Sequence, residues 1–107
     1  TDARENAARA HVAHAIAFAR ADARELEIAD AVIVANPPYG ERVATVSEAT
    51  ALISAFTRQL KHHAKGSRLA LVLPQGPLEA SVGLKPARRV AFSNGPIPSR
   101  FLVYELY

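Results

Sequence analysis

A run of five apolar residues, Ala31-Val-Ile-Val-Ala35, stops at Asn36-Pro37-Pro38. Short, continuously apolar and rich in β-branched residues, it reads as a strand covered on both faces. Neither proline can donate to a ladder, so the strand ends there. Arg68 to Leu73 (RLALVL), closed by Pro74, is a second strand of the same kind. Between them lies a well-marked helix. Thr45 and Glu48 form a capping box, and Leu52, Phe56 and Leu60 share one face with Ala49 and Ile53 beside them. Lys61, His62, His63 and Lys65 crowd the last turn, where cations suit the helix dipole, and Gly66 is the natural stop. Strand, helix, strand with buried strands is the pattern of an open α/β sheet.

The flanks extend this pattern. Asp2 with Glu5 can cap a helix from Ala3 to about Ala15, and Ile16-Ala-Phe-Ala-Arg20 alternates like a short strand that Asp22 ends. Ala23 to Glu27 suits one helical turn, and Gly76 to Ala87 is looser. Arg88 to Ser93 and Phe101 to Tyr107 flank the turn-rich Asn94-Gly-Pro-Ile-Pro98 and suit an antiparallel pair. The prediction is one unit over residues 1–107, an α/β sheet with an antiparallel edge. Ligands of such sheets bind beyond the strand C-termini, here Asp22, Asn36 onward, and Pro74-Gln75.

Composition narrows the chemistry. With no Cys among 107 residues, disulfides, thiolate metal sites and thiol nucleophiles are all excluded. No apolar run reaches the about 20 residues a membrane span needs, so the expectation is a soluble, cytoplasmic protein without a membrane partner. No Met occurs, and Thr1 cannot be a translational start, which points to a chain cut from something longer. Ten Arg against three Lys favours phosphate and base contacts. A GC-rich coding sequence, which also raises Ala to 22 positions, explains the bias equally well. His11 and His14, and His62-His63, lack converging partners and read as solvated helix faces, so no metal is expected. Arg88-Arg89 can touch RNA phosphates, and an exposed strand end accounts for the pair as well.

The informative stretch is Asn36-Pro37-Pro38-Tyr39-Gly40-Glu41-Arg42. The prolines hold the backbone extended at the sheet edge, which leaves the Pro37 carbonyl free of a ladder. The Asn36 side chain adds an acceptor and a donor beside it. Together they can receive both hydrogens of a planar exocyclic amine. Tyr39 offers a ring on which a flipped base stacks, and Gly40 leaves room for close approach. A plain turn uses the same residue types. The preceding buried strand, the Tyr and the following capped helix favour the functional reading.

On these residues the chain resembles the S-adenosylmethionine-dependent methyltransferases that modify planar amines, which carry NPPY after a strand. The longer NPPYGER is similar to the THUMP-associated RNA guanine-N2 enzymes. Gly83-Leu-Lys-Pro-Ala-Arg-Arg89, with Phe92-Ser-Asn-Gly-Pro-Ile97 and a terminal aromatic strand, resembles the end of the 23S rRNA guanine-N2 methyltransferases. The resemblance implies a Rossmann-like class I sheet with a C-terminal antiparallel hairpin, lacking its first two strands. It implies Asn36, Pro37 and Tyr39 as catalytic residues, and Pro38, Tyr39, Gly40 and Arg42 on the substrate. Arg42 serves equally well as an ion-pair partner of Glu41 or Glu48. Asp22 and Asn36 would face S-adenosylmethionine, Asp22 through the adenine amine, and ribosomal or transfer RNA would be the partner.

The family's glycine-rich cofactor loop is missing, since Gly40, Gly66, Gly76, Gly83 and Gly95 are too far apart to form one. The chain therefore reads as the C-terminal part of a catalytic domain, expected to be inactive by itself. The expected reaction is methylation of guanine N2 in ribosomal RNA. Rival readings are an adenine-N6 methyltransferase, a glutamine-amide methyltransferase, and a non-catalytic RNA-binding remnant of the fold.

Overall fold

The computed structural model describes residues 2–37 and 45–107. Its centre is a strand-helix-strand unit. Strand β1 (Val32–Ala35) leads into helix α2 (Val46–His63), which returns the chain to β2 (Arg68–Pro74). β1 and β2 pair in parallel, with Val32 opposite Arg68 and Ala35 opposite Leu71. Two antiparallel strands follow, β3 (Arg88–Asn94) and β4 (Ile97–Glu105), and β4 inserts beside β2 to give the order β1-β2-β4-β3. The N-terminal helix α1 (Asp2–Arg9) precedes this sheet.

Local chemistry explains the bounds of α2. The Thr45 hydroxyl oxygen accepts from the Glu48 backbone N–H at 3.1 Å and donates to the Glu48 carboxylate at 3.0 Å. At the far end Gly66 adopts φ +85°, and a Cβ there would lie 2.6 Å from Asp30 Oδ1. The Ser67 hydroxyl accepts from Ala31 N–H at 3.0 Å, and Arg68 N–H donates to the Ala31 carbonyl at 2.9 Å. The exit of α2 is thereby sewn to the entry of β1.

The core lies on one face of the sheet. Leu69, Leu71, Leu73, Leu102 and Tyr104 pack against Ala49, Ile53, Phe56 and Leu60 of α2, all buried. Leu78 and Val82, from a 3-10 helix at Pro77–Val82, close the end of that layer.

Several expectations change. α1 stops at Arg9, short of Ala15: His11 takes φ +60°, and a separate 3-10 turn covers Ala13–Ala15. Only Ala7 of α1 is buried, so the helix rests on propensity, which is marginal for eight residues. Ile16–Arg20 pairs with no described strand, because alternation without a neighbouring ladder leaves backbone groups to water. β1 is not covered on both faces, since Val32 and Val34 are 71% and 70% exposed. The hairpin turn is tighter than Asn94–Pro98. Asn94 pairs with Ile97 around Gly95-Pro96, with Gly95 at φ +62° before a fixed proline, the sign pattern of a II′ turn. Pro98 belongs to β4, and its carbonyl accepts from Gln75 N–H at 2.9 Å. No helix among the described residues is long and apolar enough to cross a membrane.

Candidate functional site

Because β1 and β2 run parallel, their C-terminal ends share one edge of the sheet, and Asn36-Pro37 leave β1 there. Residues 22–28 run along α2, from Ala23 in the lining beside Asn36 to Ile28 at the C-terminal end of the helix. Gln59 Nε2 donates to the Leu26 carbonyl at 3.0 Å, and Ile28 N–H donates to the His63 carbonyl at 3.1 Å. The result is a cleft of about 170 Å³ lined by Ala23, Ala35, Asn36, Pro37, Leu52, Ile53 and Phe56. Asn36 and Pro37 form its polar rim, and α2 supplies an apolar floor able to take a flat ring.

Asp22 directly precedes Ala23 of that lining in sequence. It caps the 3-10 turn Ala23–Glu25 and accepts from Arg24 N–H at 2.9 Å. Arg24 Nε lies 2.9 Å from Oδ1, and Nη2 lies 2.6 Å from Oδ2. The Arg24 side-chain hydrogen bonds, then the backbone N–H, hold the Asp22 carboxyl down to about 2. Asp22 is therefore an ionised, acceptor-only group at neutral pH. The expected amine acceptor and an ordinary turn cap coincide in this one carboxylate, so an incoming amine would compete with Arg24.

The structure thus brings Asn36 and Pro37 together with the turn that Asp22 caps. Pro38, Tyr39, Gly40 and Arg42 lie outside the described residues. Sequence reasoning assigned Ile53 and Phe56 to the core and missed that, with Leu52, they also floor the cleft. Their i, i+1, i+4 spacing at the N-terminal half of α2 was the available signal. Among the described residues no three His, Cys, Asp or Glu side chains converge as metal ligands. His63 Nδ1 lies 3.6 Å from Glu27 Oε1 at the surface.

Comparison with known proteins gives the family context. The model of the UPF0020 family, described as RMKL-like, methyltransferase domain, matches residues 1–101. A ribosomal RNA large subunit methyltransferase K/L from Aliivibrio salmonicida is 35% identical over 100 residues, covering 90% of this chain. The chain spans only 14% of that relative's length. A solved structure described as a possible methylase from Clostridium difficile 630 superposes with TM-score 0.84 at 27% identity, over 98% of this chain and 28% of that one. TrmN from Thermus thermophilus superposes with TM-score 0.73 at 27% identity, over 97% of this chain and 32% of its own.

Proposed function

Given that the chain belongs to the UPF0020 family of RMKL-like methyltransferase domains, we propose that it forms the amine-binding part of an S-adenosylmethionine-dependent methyltransferase acting on the exocyclic N2 amine of guanine in ribosomal RNA. The observation that carries this is the placement of Asn36 and Pro37, the start of N-P-P-Y, on the rim of an apolar cleft beside the Asp22 turn. The ribosomal RNA methyltransferase relative supports the substrate class. The GER extension and the NG hairpin favour guanine over adenine.

The residues suit the cofactor in kind. An apolar slot floored by Leu52, Ile53 and Phe56 takes a planar ring, and the Asp22 carboxylate beside it accepts from a ring amine. When bound, the sulfonium cofactor supplies an activated methyl group. The chain's own task is placement. The Asn36 side-chain oxygen and the Pro37 carbonyl each accept one hydrogen of the target amine, which leaves the nitrogen lone pair directed outward. The same two oxygens stabilise the positive charge that develops on nitrogen. Fixing the amine in line with the methyl is an orientation effect worth several kcal/mol. No strong general base is required, because the proton can leave after transfer.

The test uses the full-length product of the gene encoding this chain, labelled S-adenosylmethionine, and ribosomal RNA from cells lacking the enzyme. Nucleoside digestion is expected to place label in N2-methylguanosine. Asn36→Ala is expected to cut the rate by about 10²-fold, as for loss of one preorganised charge-stabilising group. Label in N6-methyladenosine would replace the target base. The 107 residues alone are expected to transfer nothing, having no glycine-rich loop for the cofactor.

A further inference from the structure

On the same face of the sheet as the core, the β3–β4 hairpin brings two arginines together. Arg89 pairs with Leu102 and Arg100 with Ala91, so both side chains rise on the side of the 3-10 helix Pro77–Val82. Glu79 on that helix divides itself between them. Its Oε1 lies 2.8 Å from Arg100 Nη1 and its Oε2 lies 2.9 Å from Arg89 Nη2. The Glu79 side chain is 15% exposed, while those of Arg89 and Arg100 are 52% and 36% exposed. The carboxylate is thus the inner group, and the guanidiniums form the outer layer.

These groups line a cleft of about 470 Å³ together with Gly76, Gly83 and Lys85. Three cations and one carboxylate line the cleft, so two positive charges are left in excess. Each guanidinium spends one arm on Glu79 and keeps further N–H donors for an anion. Lys61 Nζ donates to the Gly83 carbonyl at 2.9 Å, which ties the wall of the cleft to α2. Tyr104, fully buried on the same side of β4 as Arg100, has a hydroxyl without a hydrogen-bond partner among the described residues.

Position connects this cleft to the Asn36 site. Ala35 is level with Leu71, and Arg100 is level with Leu73, so Arg100 stands at the height where the chain leaves β1. β2 alone separates β1 from β4, which puts the backbones about 10 Å apart. A short run of a single nucleic-acid strand covers that span.

We propose that Lys85, Arg89 and Arg100 form a phosphate clamp for the single-stranded RNA that leads into the Asn36 cleft, with Glu79 orienting the two guanidiniums. The clamp rests on the reading of the chain as part of an RNA methyltransferase, and it assigns the RNA backbone to a definite place. Fork-shaped donors held by a recessed carboxylate suit phosphate oxygens without reading base identity.

The test is fluorescence anisotropy of the full-length gene product with a short labelled oligouridine, titrated against salt. Lys85→Gln and Arg89→Gln together are expected to weaken binding by about tenfold and to flatten the slope of log affinity against log salt by about 1.4, the value for two lost phosphate contacts on a single strand. Lys85 makes no ion pair among the described residues, so Lys85→Gln alone gives a reading free of any disturbance at Glu79 and is expected to flatten the slope by about 0.7. Affinity within twofold of the parent together with an unchanged salt slope in both variants would overturn the clamp. Methyl transfer is scored separately on the parent. A parent that methylates RNA while its variants bind unchanged loses only the clamp. A parent that fails to methylate while its variants bind weakly keeps the clamp and loses the proposed activity.

Discussion

The two faces of the one sheet differ sharply although the same four strands build both. Toward α2, Leu69, Leu71, Leu73, Leu102 and Tyr104 are at most 1% exposed. On the other side, Val32, Val34, Val90, Phe92 and Phe101 are between 36% and 71% exposed. That second face is a shallow groove of apolar side chains bordered by the Arg68–Glu105 ion pair, with a 2.7 Å contact. Apolarity of a strand records a tendency to be covered, and only a packed neighbour converts the tendency into stability. At roughly 25 cal/mol per Å² the covered leucines contribute free energy that the exposed valines do not.

Three measurements sharpen or break this comparison. The largest expected effect is Leu71→Ala, which should cost about 2–5 kcal/mol in chemical denaturation through lost burial and a residual cavity. A cost below about 1 kcal/mol would mean that the covered face is not a tightly packed core.

Second comes alkaline pH. Burial, then the Glu79 charge, pushes the Tyr104 hydroxyl up to about 12 from 10.0. The protonated form is favoured in the folded state, so this contribution is complete below pH 10.0 and is lost as pH rises toward about 12. Tyr104→Phe should remove that alkaline loss of stability while leaving stability at neutral pH close to the parent's, because the hydroxyl has no partner among the described residues to forfeit.

The smallest effect is expected on the open face. Val34→Thr should change stability by no more than about 0.5 kcal/mol. A loss near 2 kcal/mol would show that this face is covered in solution and would collapse the distinction between the two.

What was legible in sequence follows from the range of the physics involved. Thr45 and Glu48 capped α2 where expected because a capping box is a contact three residues long. The NG turn located the hairpin because Gly95 needs φ +62°, although pairing carried the strands closer than the turn residues suggested. The strand expected at Ile16–Arg20 is absent because its ladder must come from residues elsewhere. The candidate site divides in the same way. Asn36 and Pro37 were readable because they are contiguous and follow a strand. The floor of Leu52, Ile53 and Phe56 became visible only when α2 folded back over β1.

By itself the sequence determined where the chain must turn, cap and stop. It also set out the contiguous run Asn36 through Arg42 directly after a strand. Those properties depend on bonds and hydrogen bonds within a few positions of each residue. Only the tertiary structure decided which face of the sheet is core, which residues floor the cleft beside Asn36, and that Glu79 gathers Arg89 and Arg100 from different strands. Burial and charge convergence depend on groups tens of positions apart, and strand pairing sets their distances.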